Sequence, residues 1–179
     1  NCPRGGAANW GSTQNFDDPA NSTDWDRDGC KDDAEDADID NDGIENDVDL
    51  CPRSSYQPPR PTWVSDSITD VDGDGCRDAD EDTDDDGDGF EDVSDDCPTV
   101  VGNSTLGEEG CLDNDGDGWS NNFDDCPNDF GNSTLGGKNA CPDTDGDGWA
   151  DVDDAFIEDS TQWSDADGDG YGDNPNGTT

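Results

Sequence analysis

The stretch Asp84-Asp85-Asp86-Gly87-Asp88-Gly89-Phe90-Glu91-Asp92-Val93-Ser94-Asp95-Asp96-Cys97-Pro98 decides how this chain is read. Aspartate occupies its positions 1, 3 and 5, and glycine its position 6. The same Asp-x-Asp-x-Asp-Gly core begins at Asp24, Asp38, Asp70, Asp113, Asp143 and Asp165, which makes seven copies in all. Their alternate carboxylates are Asp24, Asp26 and Asp28; Asp38, Asp40 and Asp42; Asp70, Asp72 and Asp74; Asp84, Asp86 and Asp88. The later copies supply Asp113, Asp115 and Asp117; Asp143, Asp145 and Asp147; Asp165, Asp167 and Asp169. Position 9 reads Asp32, Asn46, Asp78, Asp92, Asn121, Asp151 and Asp173, and position 12 reads Glu35, Asp49, Glu81, Asp95, Asp124, Asp154 and Asn176. An acidic chain throws up a few such hexapeptides by chance, but not seven in register.

Outward from the motif, the spacing shows a higher order, and repeats of this kind govern the whole fold. Asp24 and Asp38 lie 14 residues apart, as do Asp70 and Asp84, and that pair recurs after 46 residues together with Cys30 to Cys76 and Cys51 to Cys97. A shorter unit follows: Cys97 to Cys126 is 29 residues, while Cys111 to Cys141 and Trp119 to Trp149 are each 30. The phrase Gly-Asn-Ser-Thr-Leu-Gly stands at Gly102 and again at Gly131. The chain therefore divides into residues 1–50 and 51–96, each with two motifs, a short unit 97–125, and residues 126–179, a short unit with a terminal motif.

Calcium is a hard cation that takes six to eight oxygen ligands at roughly 2.3–2.6 Å. Alternate aspartates can aim three carboxylates at one centre from a tight turn. Glycine at position 6 permits the turn that a Cβ would obstruct. Position 7 can then offer its carbonyl, and positions 9 and 12 can close the shell directly or through water. Cysteine and histidine ligands would instead have pointed to zinc. Position 7 holds Cys30, Ile44, Cys76, Phe90, Trp119, Trp149 and Tyr171, which predicts a small apolar cluster behind each ion.

The composition makes an ordinary core untenable. Of 179 residues only 26% are apolar, and 51 acidic residues face 7 basic ones for a formal net charge of -44. Such a chain cannot bury enough apolar surface to offset its ordering entropy. Ions and disulfides are the usual remedies. Seven divalent ions would lower the charge to -30 and fourteen to -16, so one or two ions per motif are both reasonable. Nucleic acid and anionic membranes are excluded as direct partners by repulsion. Eight cysteines imply an oxidising, extracellular setting. Four Asn-x-Ser/Thr sequons, at Asn21, Asn103, Asn132 and Asn176, agree and mark expected N-linked glycans. There is no transmembrane-length apolar run, signal peptide or initiator methionine, so the chain reads as a mature or excised secreted or cell-surface segment without membrane insertion.

Gly, Pro, Asn and Asp punctuate almost every stretch, and no amphipathic helical stripe persists. The expected fold is irregular, with little regular secondary structure: an elongated, calcium-stapled repeat array. Residues 58–61 should lie near polyproline II.

At this point the pattern resembles thrombospondin type 3 repeats, whose consensus runs Asp-x-Asp-x-Asp-Gly-x-x-Asp-x-x-Asp-Asn-Cys-Pro. Asp84 to Pro98 fits nearly throughout, and Asp38 to Pro52 and Asp113 to Pro127 fit with small changes. The loops Cys97 to Cys111 and Cys126 to Cys141 look like the short Cys-Pro loops between such repeats in microbial surface proteins. The resemblance implies calcium ions wrapped by irregular chain, with disulfides in sequential order. EF-hands and dockerins share the loop but need flanking helices. The motifs at Asp143 and Asp165 depart from the consensus by lacking the trailing Cys-Pro, and Asn176 is at once a ligand position and a sequon.

Each of the Cys-Pro cysteines Cys2, Cys51, Cys97 and Cys126 is followed in order by Cys30, Cys76, Cys111 and Cys141, of which the first three lack a following proline. This order favours Cys2–Cys30, Cys51–Cys76, Cys97–Cys111 and Cys126–Cys141. The rival, Cys30–Cys51, Cys76–Cys97 and Cys111–Cys126, strands Cys2 and Cys141 and requires an intermolecular bond. Asn103 and Asn132 fall inside the short loops, which should therefore project outward.

The expected function is structural: a rigid, glycosylated, calcium-stiffened rod serving as a filament or stalk subunit. The opening Asn1-Cys2-Pro3 resembles the tail of a motif, which favours head-to-tail self-association. The competing expectation is a calcium-dependent adhesion module or a spacer in a larger surface protein. With no histidine, nucleophile motif or phosphate loop, and with its carboxylates committed to ions, the chain is not expected to be an enzyme.

Overall fold

Six of the seven motifs break the backbone twice, and this is why no regular element forms there. At position 6, Gly43, Gly75, Gly89, Gly118, Gly148 and Gly170 all have φ between 86° and 105°. At position 4, Gly73, Gly87, Gly116, Gly146 and Gly168 have φ between 70° and 81°, and Asn41 fills the same place at 58°. Two left-handed residues within three cannot continue a helix or a strand. The computed structural model describes residues 24–26, 28, 30–32, 36–54 and 63–174. Among them there is no helix and no strand, only turns, bends and an isolated parallel bridge between Leu106 and Trp119. The polyproline II expectation at 58–61 lies outside the described residues.

The chain forms two compact units, Asn1–Asp85 and Asp86–Thr179, divided inside the fourth motif. In the first, Cys51–Cys76 closes a loop with Cα atoms 5.0 Å apart. Leu50 donates its N–H to Asp74 O at 2.8 Å, which sets the third motif beside the end of the second. In the second unit, Cys97–Cys111 and Cys126–Cys141 close two shorter loops, with Cα separations of 5.2 and 5.0 Å. These three sequential pairs are those favoured by the Cys-Pro order, and the rival connectivity is absent at these six cysteines. The expected Cys2–Cys30 pair lies outside the described residues through Cys2. Closing a loop of about 15 residues contributes about 3 kcal/mol in the chain-entropy view.

The two short loops share one construction. Ser104 is fully buried; its Oγ donates to Glu108 O and accepts the Cys111 N–H at 2.9 Å. Ser133, also fully buried, donates to Lys138 O at 3.1 Å and accepts the Cys141 N–H at 3.0 Å. Thr105 and Leu106 both donate to Gly118 O at 2.9 Å, and Thr134 and Leu135 repeat this on Gly148 O. Trp119 and Trp149 are thereby half-covered, and Trp149 lies against Gly136. Beyond the last cysteine, Trp149 stacks on Trp163, with ring centroids 5.9 Å apart and planes 9° from parallel.

The interior is inverted relative to an ordinary domain. Among the described residues, those buried include nine aspartates, against seven that are apolar or cysteine, and Asp24, Asp42 and Asp70 are among the largest fully buried side chains. Position 7 turns inward as expected at Cys30 and Cys76 and partly at Ile44, Phe90, Trp119 and Trp149. Tyr171 does not, being 69% exposed.

Gly102 and Gly131 pack directly on the backbone of Gly110–Cys111 and Ala140–Cys141, so a Cβ at either would strike main chain. Gly102→Ala should therefore destabilise its loop by about 1–3 kcal/mol, whereas Gly137→Ser, where a Cβ meets nothing but φ is +82°, should cost less. Thermal unfolding of the two variants at fixed calcium checks the order.

Candidate metal centres

Every motif organises its carboxylates through its own backbone. In the motif at Asp143, Gly146 and Gly148 donate their N–H groups to the two oxygens of Asp143, each at 2.8 Å. Asp147 N–H reaches Asp145 Oδ1 at 3.2 Å, and Trp149 N–H reaches Asp147 Oδ1 at 2.8 Å. The motifs at Asp113 and Asp165 repeat this set with the same partners by position. So does the motif at Asp70, where Gly73 and Gly75 hold Asp70, Asp74 N–H holds Asp72 and Cys76 N–H holds Asp74. The motif at Asp38 keeps Gly43 on Asp38, Asp42 on Asp40 and Ile44 on Asp42. In the motif at Asp24, Asp26 and Asp28 hold the N–H groups of Asp28 and Cys30. Within the second unit, Asp88 N–H and Phe90 N–H reach Asp86 and Asp88.

Asp70, Asp113, Asp143 and Asp165 thus have both oxygens held, whereas other carboxylates of the motifs keep one oxygen unbonded. Oδ2 of Asp42, Asp86, Asp115, Asp145 and Asp147 and Oδ1 of Asp38 are buried from solvent with no hydrogen-bond partner. Position 12 behaves alike. Asp49, Asp95 and Asp124 each accept, at 2.6–2.7 Å, the N–H of the cysteine two residues on, and each keeps a buried Oδ2 with no hydrogen-bond partner. Asp154 holds Phe156 N–H at 2.6 Å in the same manner. Ligand oxygens of Asp24, Asp26 and Asp28 converge within 4.8 Å, as do those of Asp38, Asp40 and Asp42, and of Asp70, Asp72 and Asp74. Buried carboxylate oxygens without donors are costly unless a cation meets them. The acidic clusters could therefore hold metal ions, and an all-oxygen donor set suits a hard divalent ion.

Position 9 is a brace before it is a ligand. Asp32, Asn46, Asp78, Asn121, Asp151 and Asp173 each accept the N–H of position 2 at 2.7–3.2 Å. Asn46 also donates from Nδ2 to Asp36 O, and Asp32 pairs through Oδ2 with Arg53 at 3.2 Å, so the one oxygen of Asn46 and both oxygens of Asp32 are already engaged. Asp92 is half-buried within its motif. Glu81 is half-buried at position 12, while Glu35 and Asn176 lie outside the described residues.

Two acidic residues escaped the sequence reading. Asp36 and Asp82 stand two residues before the second motif of each tandem pair, 46 residues apart, and each has a buried Oδ2 with no hydrogen-bond partner. Asp82 lies within 4.8 Å of oxygens of Asp78 and Asp85. The 46-residue repeat of this acid was the available signal. Cys97 and Cys111 also lie near Glu108, but their sulfurs are spent in a disulfide and are not ligands.

Burial, reinforced by neighbouring carboxylates, raises the acids of these centres. Asp42 is pushed up to about 7, with Asp40, Asp49 and Asp38 adding to the effect of burial. Asp26, Asp49 and Asp72 are raised to about 6 by burial first and adjacent aspartates second. Asp86, Asp115, Asp124 and Asp154 shift the same way for the same reasons. Outside the motifs, exposed Asp66 receives the Ile68 and Thr69 N–H groups and is lowered instead.

The expected glycan acceptors Asn103 and Asn132 are exposed, with their own N–H groups bonded to Cys111 O and Cys141 O at 3.1 Å. Asn21 and Asn176 lie outside the described residues. No helix among the described residues is long and apolar enough to cross a membrane. No protein-family model matches the chain, and no curated protein shows significant similarity to it.

Raised carboxyls without a cation bind protons, so their contribution to stability is present below the ordinary value near 3.8 and is lost as pH rises through about 6 to 7. A cation must displace those protons. Affinity for a divalent ion should thus fall as pH drops from 8 through 7 to 5.5, and binding near pH 6.5 should release protons. Calorimetric calcium titrations in two buffers of different ionisation enthalpy measure both effects, and an affinity unchanged over that range would contradict the protonation.

Proposed function

We propose that this chain is an extracellular, structural calcium-binding repeat protein of the thrombospondin type 3 kind, and not an enzyme. The observation that carries the reading is the set of buried carboxylate oxygens left without donors in motif after motif. Calcium is favoured over magnesium because the donors are numerous and sit on irregular backbone, which suits a larger ion with a variable shell. Each motif binds at least one ion through positions 1, 3, 5 and 12. The ions replace the missing apolar core, as the burial of aspartates in its place supports. Extracellular modules of this type hold calcium with about submillimolar to millimolar dissociation constants, so the ions stay bound outside cells and act as structure.

The three disulfides are compatible with an oxidising, extracellular setting. Exposure of Asn103 and Asn132 supports N-linked glycans there. On this reading the chain is a stiff, glycan-coated stalk or filament subunit that self-associates head to tail. A calcium-dependent adhesion module is the second reading. It is favoured by apolar side chains at position 10 or 11 that face solvent, with Val48 64%, Val93 92%, Phe123 50% and Val152 72% exposed.

Calcium should bind with a stoichiometry of at least seven, counted by native mass spectrometry, and chelation should shift tryptophan fluorescence as the Trp149–Trp163 stack opens. Asp147→Asn should weaken its motif about tenfold, a loss of about 1.4 kcal/mol, without abolishing the others. Electron microscopy with calcium and after chelation separates the two readings. Filaments that loosen on chelation support the structural polymer, single short particles in calcium support the adhesion module or spacer, and particles indifferent to chelation contradict the calcium assignment.

A further inference from the structure

Each disulfide loop touches the carboxylates of the motif before it at two points. The first is position 12, where the N–H groups of Cys51, Cys97 and Cys126 fix one oxygen of Asp49, Asp95 and Asp124. The second lies 14 residues beyond a position 3 or position 5 aspartate. Ser54 N–H reaches Asp40 Oδ2 at 2.7 Å, Gly102 N–H reaches Asp88 Oδ2 at 2.8 Å and Gly131 N–H reaches Asp117 Oδ2 at 3.1 Å. The far end of the loop then closes over the site. Gly75 and Gly110, each just before the second cysteine, lie so close to the Asp49 and Asp95 carboxylates that a Cβ would strike them. In the third loop this place is taken by Ala140, fully buried and held at φ 61°. Asp96 and Glu109 exchange two 3.0 Å bonds across the base of their loop, and Asp125 and Asn139 make the matching pair at 3.1 and 2.8 Å.

We propose that the disulfide loops are working parts of the preceding cation sites, so that cation affinity and disulfide state are linked. The proposal rests on the calcium reading above. The disulfide holds the segment before the second cysteine against the position-12 carboxylate and keeps the loop N–H groups on the position 3 or 5 carboxylate. When it opens, Asp49, Asp95 and Asp124 lose the wall that aims their free oxygens, and Asp40, Asp88 and Asp117 lose the loop N–H that holds their second oxygen in place. In the reduction step a dithiol such as dithiothreitol gives two electrons, the cysteine S–S bond breaks, the two protons of the reagent pass to the new thiols, and the reagent closes to a cyclic disulfide. Linkage is reciprocal, so a bound cation must protect the disulfide by the same factor by which the disulfide strengthens binding. The motif at Asp143 is a built-in control. Its position 12 holds Phe156 rather than a cysteine, and its neighbouring chain is held by the Trp149–Trp163 stack.

The experiment uses the full chain in two forms. The rate at which Cys126 and Cys141 become alkylated under dithiothreitol is followed by peptide mapping, with and without calcium. Calcium should slow it at least tenfold in the wild type, and Asp117→Asn with Asp124→Asn should remove the protection. In parallel, Cys126→Ser with Cys141→Ser should lower the affinity of one site at least tenfold while the remaining ions bind as before. Equal alkylation rates with and without calcium, in a chain that binds calcium, overturn the linkage and leave the calcium reading intact. A chain that binds no calcium overturns both.

Discussion

Carboxylates brought within 4.8 Å of one another cannot all remain charged unless a cation lies among them, and everything else in this chain is arranged around that constraint. With a formal net charge of -44 and 26% apolar residues, the chain has no hydrophobic reserve with which to force the carboxylates together. The backbone does it instead. Paired left-handed residues curl each motif so that successive N–H groups point inward and each takes one carboxylate oxygen. Burial first, and the remaining repulsion between neighbouring carboxylates second, raise the acids at Asp42, Asp26, Asp49 and Asp72, and both are costs that a cation would relieve.

Where a carboxylate keeps one oxygen unbonded, as at Asp42, Asp86, Asp115, Asp145 and Asp147, its two oxygens have different tasks: one fixes the loop by bonding to a nearby N–H, and the other could meet an ion. Asparagine can do the first task as well as aspartate, as Asn46 and Asn121 do at position 9. It would serve less well at position 1, where two N–H groups take the two oxygens in four motifs, and at positions 3 and 5, and those positions are aspartate in all seven motifs. The disulfides work in the same direction. They hold the next segment of chain against a carboxylate whose burial would otherwise be unfavourable.

Much of this was legible in the sequence, because the constraint acts on residue types at fixed spacing. The alternate aspartates, the glycine at position 6 and the pairing of Cys51, Cys97 and Cys126 each with the next cysteine were readable from register alone, and the irregular fold followed from the density of turn residues. Position 4 was not read, although glycine stands there in five motifs; its need for positive φ shows only in the curled backbone, where Asn41 adopts it too. Asp36 and Asp82 were hidden because they precede the motif and belong to it only through folding. Position 9 looked like a ligand by analogy of type, yet its first bond is to the N–H of position 2. The serines of the two Asn-Ser-Thr phrases read only as sequon residues, whereas Ser104 and Ser133 are the buried bridges on which their loops close.

The locality of these bonds has a consequence for how such a chain can change over generations. Each described disulfide spans at most 25 residues, and the site bonds span fewer. A segment of 29 or 30 residues therefore carries a motif, its loop and its closing cysteine with it. Such a cassette can be copied or deleted in frame without orphaning a partner elsewhere. The near-identical phrases at Gly102 and Gly131 are what one round of copying would leave behind. Length in such a chain is a quantity that selection can tune in whole steps.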